Sequence, residues 1–146
     1  MRVAYIDSSV LVRYYLPLDP HHDEAIALID YDDTAILTIS WTRIEASGAL
    51  VRASRSQRVS PDAALARLDE DTSVGPITLI SVPQAEAESI ALSVVRVTGI
   101  RALDAWHIAV AVIALPSLVG PGDEARFMTR DSDQAAAAIA FGLAVV

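Results

Sequence analysis

Cysteine and lysine are both missing from the 146 residues, and each absence excludes something. Without cysteine there are no disulfides, thiolate zinc sites or cysteine nucleophiles, which fits an intracellular, cytoplasmic protein. Without lysine, and without the glycine pattern that accompanies it, there is no Walker A loop. Phosphate-handling folds that pair an aspartate cluster with a lysine, such as receiver domains and haloacid-dehalogenase-like phosphatases, lose support for the same reason. No apolar run approaches the ~18 residues of a membrane span. The longest, Ile108 to Leu115, has the length of a buried helix segment. Met1-Arg2 leads straight into Val3-Ala4-Tyr5-Ile6-Asp7, so neither a signal peptide nor a membrane partner is expected.

What is present is apolar substance and acid. The chain is 53% hydrophobic, and at this length it can bury about two-thirds of its unfolded surface, so one domain over 1–146 is expected. The formal net charge is −8 and all eleven basic residues are arginine. A general nucleic-acid binder is basic. The acid therefore either keeps the protein soluble or is concentrated where a metal ion needs it. In the second case arginines at the rim of such a pocket still let it act on a polyanion.

The short apolar run Val3 to Ile6 ends at Asp7, two serines follow, and apolar residues resume with helical spacing. This predicts strand, turn and helix, with Asp7 at the carboxyl end of the strand, where ligand sites of α/β proteins form. The first helix is expected to end at Tyr15, ahead of Pro17. Asp23 to Ile29 reads as a helix closed by Tyr31-Asp32-Asp33, and Ala35 to Ile39 as the second strand. Ser40 or Thr42 caps a helix ending near Ser54, and Ser60-Pro61-Asp62 starts another that ends at Asp71. Ile77 to Ile80 is the third strand. Gln84 to about Val97 is a helix ended by Gly99, and Leu103 to Leu115 is the most hydrophobic and most central helix. Pro116 to Asp123 is expected as a loop, Arg126 to Thr129 as a strand, Asp131 to Phe141 as a helix and Leu143 to Val146 as the last strand. Alternating strands and helices predict an α/β fold with a mostly parallel sheet of about five strands, covered on both faces.

Four acids stand out by position: Asp7, Glu45, Asp104 and Asp131. Taken singly, Asp7, Asp104 and Asp131 read as helix-start residues that satisfy orphan N–H groups. Glu45, flanked by Ile44 and Ala46 within a helix, has no such role, and an unpaired internal carboxylate is costly. Arg43 does not explain it, because residues two apart on a helix do not face each other. Taken together the four acids make sense around a cation. Close carboxylates repel by about 4 kcal/mol per pair at an effective dielectric of 20, and a hard divalent ion reverses that sign. Mg2+ or Mn2+ accepts oxygen ligands, acidifies a bound water and stabilises phosphoryl charge, which is the chemistry of phosphodiester hydrolysis. Ser9 and Thr129 are placed to hold a carboxylate or a metal-bound water, although each alone reads as a local backbone hydrogen bond.

Histidine offers no zinc site: His21 and His22 are adjacent and lack ligand-spaced partners. His107, three residues after Asp104 on roughly the same helical face, either touches the site or substrate or is a hydrogen-bonded interior histidine. Arginine forks suit phosphate. Arg13, Arg43, Arg101 and Arg130 lie near the proposed site elements, and Arg52, Arg55 and Arg58 form the densest basic patch, whose plainer reading is a solvated helix end.

The pieces Tyr5-Ile6-Asp7-Ser8-Ser9-Val10-Leu11-Val12-Arg13-Tyr14-Tyr15, Ser40-Trp41-Thr42-Arg43-Ile44-Glu45, Arg101-Ala102-Leu103-Asp104-Ala105-Trp106-His107-Ile108-Ala109 and Phe127-Met128-Thr129-Arg130-Asp131 follow one another in a familiar order. In that order the sequence resembles a PIN-domain ribonuclease, more narrowly a VapC-type toxin of a bacterial type II toxin–antitoxin pair. The resemblance covers essentially the whole chain and implies a PIN-like α/β/α sandwich. It implies that Asp7, Glu45, Asp104 and Asp131 form an acidic quartet around Mg2+ or Mn2+, with Asp133 supporting or replacing Asp131 and with Ser9 and Thr129 as polar companions. It implies, further, an RNA substrate, a homodimer and an antitoxin whose C-terminal segment obstructs the site. Tyr14, Tyr15 and Trp41 are expected to be exposed and to suit the dimer contact. The departure is at Pro116 to Glu124, where glycine and proline interrupt the approach to the fourth strand without removing any acid. Two other readings stay open. One is a catalytically silent PIN-like scaffold that binds protein or RNA. The other is a flap-type DNA nuclease, whose extra arches 146 residues leave little room for.

Overall fold

The computed structural model describes residues 1–30, 33–57 and 60–146. The element order is β1 (Arg2–Ile6), α1 (Ser8–Tyr14), α2 (His22–Ile29), β2 (Thr34–Thr38), α3 (Ser40–Gln57), α4 (Asp62–Ser73), β3 (Ile77–Leu79), α5 (Gln84–Thr98), α6 (Ala102–Leu118), β4 (Glu124–Met128) and α7 (Ser132–Ala140). The strands pair in the order β3-β2-β1-β4, and all of these pairings are parallel. The sheet carries helices on both faces, as an α/β/α sandwich.

β1 is apolar throughout its interior because both of its faces are covered. Successive side chains point to opposite faces of a strand. Val3 and Tyr5 enter one core with residues of α5, α6 and α7, and Ala4 and Ile6 enter the other with residues of α1 to α4. Tyr5 stacks on Phe127 of the neighbouring β4, ring centroids 5.6 Å apart and ring planes nearly parallel at 5°. The register aligns Tyr5 with Leu37 and Phe127, and Ile6 with Met128. Parallel pairing in this register brings the next residues of β1 and β4, Asp7 and Thr129, to the same edge. The chain builds the sheet outward from β1 through β2 to β3 and then returns to the opposite side of β1 with β4. The crevice at that reversal is where α/β sheets bind ligands.

Several boundaries differ from expectation. β4 begins at Glu124 rather than Arg126, because Arg2 pairs in register with Glu124 and their side chains approach to 3.6 Å. α6 continues through Pro116 to Leu118. A proline in the final turn removes only one i→i−4 bond, and the Ser117 hydroxyl donates to Ala114 O at 2.8 Å. The expected last strand is reduced to one bridge, Val145 beside Phe127, with Phe127 N–H donating to Ala144 O and Val146 N–H to Phe127 O. Tyr14 and Tyr15 are buried, not exposed. Tyr14 donates to Asp30 and Tyr15 to Asp71, and each ring packs beneath Arg67 of α4. Trp41 is exposed as expected. The expected helix closure at Tyr31-Asp32, and Arg58 of the basic patch, lie outside the described residues.

Candidate active site

Asp7 follows β1 and is the N-cap of α1. Its Oδ1 accepts from the backbone N–H of Ser9 (3.0 Å) and Val10 (3.2 Å) and from the Ser9 hydroxyl (2.7 Å), while Oδ2 lies 2.8 Å from the Thr129 hydroxyl. It is only 4% exposed. Burial raises its pKa, and the hydrogen bonds from Ser9 and Thr129 pull in the opposite direction without cancelling it. Capping and site formation are the same geometry here, since a cap carboxylate at a strand's carboxyl end faces the ligand crevice.

Ser9 and Thr129 lock the two edges together. Arg130 N–H donates to Ser9 Oγ at 2.8 Å, and Asp131 N–H donates to Thr129 Oγ1 at 3.1 Å. Thr129 Oγ1 also lies 2.6 Å from Gln134 Oε1. One hydroxyl proton thus faces two acceptors, Asp7 and Gln134. The shortage of donors works in the same direction as burial, which raises the Asp7 pKa.

Asp131 caps α7 through Oδ1, which accepts from Asp133 N–H and Gln134 N–H, and its Oδ2 lies 3.4 Å from Arg101 Nη2. Asp104 stands in the first turn of α6 but satisfies no orphan N–H among the described residues; its Oδ2 takes the Nε–H of Arg101 at 2.8 Å. Glu45 of α3 is held by His107, Nε2 to Oε2 at 2.9 Å. These four acids line one cavity of about 190 Å³ together with Ser8, Ser9, Arg101 and Leu103. Acids drawn from four separate stretches of chain therefore line the same cavity. Asp133 does not line that cavity; it faces a more open groove that also borders Arg101, Asp104 and Asp131.

The donor set is right in kind for a hard cation, being carboxylate and hydroxyl oxygen without sulfur. Among the described residues, however, no group of three or more acids or histidines is arranged to hold a metal ion. The cavity fits an ion bound by one or two carboxylates that keeps several waters, which is the habit of Mg2+. The Arg101 guanidinium currently answers two of the acids.

The arginines divide differently from expectation. Arg101 lines the cavity with its side chain 80% exposed. Arg43 turns away from it, forming a two-pronged contact to Asp69 of α4 through Nε (3.0 Å) and Nη2 (2.7 Å). Arg130 folds back toward Thr129 O at 3.4 Å. Arg13 is partly buried near the end of α1, and Arg52 and Arg55 are exposed on α3. His107 is corrected from an RNA contact to an interior residue: it is 1% exposed, with Nδ1 bonded to Tyr5 OH at 2.8 Å and Nε2 to Glu45.

Sequence reasoning missed Gln134 and Tyr5. Gln134 is 1% exposed and links Thr129 to α6 by donating to Asp104 O at 3.3 Å. The signal was available as Asp131-Ser132-Asp133-Gln134, a capping-box pattern, but the side chain serves the site edge instead of the cap. Tyr5 gives no local signal, because its hydroxyl matters only through a partner 102 positions away.

The profile of the PIN domain family matches residues 4–140 of this chain. Among solved structures, PAE2754 from Pyrobaculum aerophilum aligns with a TM-score of 0.59 at 25% sequence identity, over 97% of this chain and 81% of that one. No curated protein matches the chain.

Proposed function

The chain belongs to the PIN domain family, and from that premise we propose that it is a Mg2+- or Mn2+-dependent endoribonuclease acting as the VapC-type toxin of a toxin–antitoxin pair. The observation that carries the proposal is the single small cavity lined by Asp7, Glu45, Asp104 and Asp131 at the carboxyl edge of β1 and β4. Asp7 and Asp104 are the residues that would hold the ion, with Glu45 and Asp131 binding directly or through water. Such an ion supplies an activated water and charge stabilisation at the phosphoryl oxygens.

The chain's own residues do the positioning. Ser9 and Thr129 fix both oxygens of Asp7. Gln134 fixes Thr129 against α6. Arg101, long and largely exposed, bridges Asp104 and Asp131 and is placed where it would turn to a substrate phosphate if those acids held an ion. Arg13, Arg130, Arg52 and Arg55 are the cations available to an RNA backbone outside the cavity, where a net charge of −8 makes local positive charge necessary to attract a polyanion.

A homodimer and an antitoxin belong to the same reading, in the cytoplasm. Support for a protein-covered face comes from Trp41 and Ile44, 53% and 61% exposed on one side of α3. Trp41 borders an apolar groove with Ile39, Ile80, Val82, Leu103 and Trp106. Among the described residues no helix is long and apolar enough to cross a membrane.

Asp7→Asn and Asp104→Asn are expected to abolish Mn2+-dependent cleavage of RNA while leaving the circular dichroism spectrum unchanged. Normal cleavage by both purified variants would reject the assignment. A catalytically silent scaffold is the second reading, favoured by the Arg101 ion pairs, which quiet Asp104 and Asp131 without a metal. Titration with Mn2+ separates the two. The nuclease binds it and gains stability, by about 2.7 kcal/mol at a concentration one hundred times Kd; the scaffold's melting temperature does not move.

A further inference from the structure

His107 lies outside the acid set and outside the cavity, yet it is a fully buried polar side chain bonded directly to one of those acids. Its imidazole is enclosed between β1 and α6 at 1% exposure, edge-on to the Tyr5 ring with centroids 5.9 Å apart. Tyr5 is itself fully buried and clamped by its stack on Phe127. A buried phenol must place its O–H on an acceptor; His107 Nδ1 lies 2.8 Å away, and it suits that role because the ring's other nitrogen faces a carboxylate oxygen and must keep its hydrogen there. With Nδ1 accepting, the ring carries its hydrogen on Nε2, and that nitrogen points at Glu45 Oε2, 2.9 Å away.

From this chain of contacts we infer that His107 is the positioning residue of Glu45, a role set by Tyr5 and dependent on the nuclease reading for its purpose. Glu45 projects from α3 on a long side chain with several rotatable bonds, and its carboxylate is 28% exposed. Its hydrogen-bond partner among the described residues is His107. Free, such a side chain samples many rotamers. Held through Oε2, it lines the cavity that Asp7 and Asp104 share. Buried hydrogen bonds of this type orient metal-binding carboxylates and are worth about 10–100-fold in metal affinity. Three elements are tied in one line: β1 sets the tautomer, α6 carries the imidazole and α3 supplies the acid. A single Nε2–H donor therefore transmits the rigidity of the central strand to a helix on the opposite face of the sheet.

The test is a double-mutant cycle on Mn2+ binding, read by electron paramagnetic resonance, with RNA cleavage measured alongside. His107→Leu is expected to weaken Mn2+ binding by about 10–100-fold, and Glu45→Gln by a similar factor. The double variant should bind as the worse single variant does, because both changes remove one interaction. His107→Gln, which keeps an N–H near the Nε2 position, should recover much of the loss. Cleavage by His107→Leu should fall at subsaturating Mn2+ with KM for RNA unchanged. In the metal-free protein, nitrogen-15 spectra of the imidazole should show the Nε2–H tautomer, with a proton that exchanges faster in Glu45→Gln. An Nδ1–H tautomer, additive losses in the cycle, or folded His107→Leu with wild-type Mn2+ affinity would each overturn the inference. If the tautomer and the coupling hold but wild-type protein cleaves no RNA, the nuclease reading fails and the positioning role stands. If cleavage holds and the coupling is absent, the reverse follows.

Discussion

Asp7 carries two demands that pull its protonation in opposite directions. As a helix cap it is served equally by Asp or Asn, but as a buried carboxylate it resists ionisation. Its folded pKa is raised by burial, so the folded chain holds the Asp7 proton more tightly than the unfolded chain does. The stability this proton contributes is complete below the unfolded value and is lost as pH rises through the folded one. Asp7→Asn has no such titration, and its amide can donate to Thr129 Oγ1, which lacks a second proton in the wild-type arrangement. In the presence of a chelator, urea midpoints of the wild type should therefore fall relative to Asp7→Asn as pH increases above the ordinary aspartate range. A gap that moves the other way with pH would mean that Asp7 is ionised more easily in the fold than out of it. On the proposed function the same substitution is expected to remove activity while relieving the apo protein, the trade that arises where function holds a group in an unfavourable place.

Between elements, the clearest tie outside the site joins α4 to α1. Arg67 lies 4.8 Å from the Tyr14 ring centroid and 5.9 Å from that of Tyr15, and donates to Tyr14 OH at 2.7 Å. Tyr15 OH donates to Asp71, one turn along α4 from Arg67. Stacking and a charged hydrogen bond at a half-exposed position make Arg67→Ala cost about 1–2 kcal/mol. Arg67→Lys should keep only a minor part of this, since ammonium neither stacks nor forks. Urea denaturation reads both, and the loss should come without change in Mn2+ affinity, because this clamp lies on the α1–α4 face and none of its residues lines the acid cavity. The sequence marks Tyr14 and Tyr15 only as two aromatics at the end of a helix. Whether they face solvent depends on where α4 lands.

For the whole molecule, much of the architecture was legible because its signals are local. The apolar run of β1, the acid after it, the proline start of α4, Gly99 after α5 and the 3.6-residue spacing of α5 are all written within a few residues of where they act, and they required an alternating, mostly parallel fold. The identities of the four acids were legible for the same reason, each being a charge at an element end or in an apolar setting. Their meeting was not. It follows from strand order and register, which align Ile6 with Met128 and so bring Asp7 beside Thr129. The partners across that edge were equally hidden: Arg43 reaches Asp69 instead of the cavity, Arg101 spans Asp104 and Asp131, Gln134 bridges Thr129 to α6, and His107 links Tyr5 to Glu45. Periodicity and capping are nearest-neighbour properties of the chain and can be read along it. A hydrogen bond between residues 62 or 102 positions apart exists only once packing has chosen which surfaces face each other.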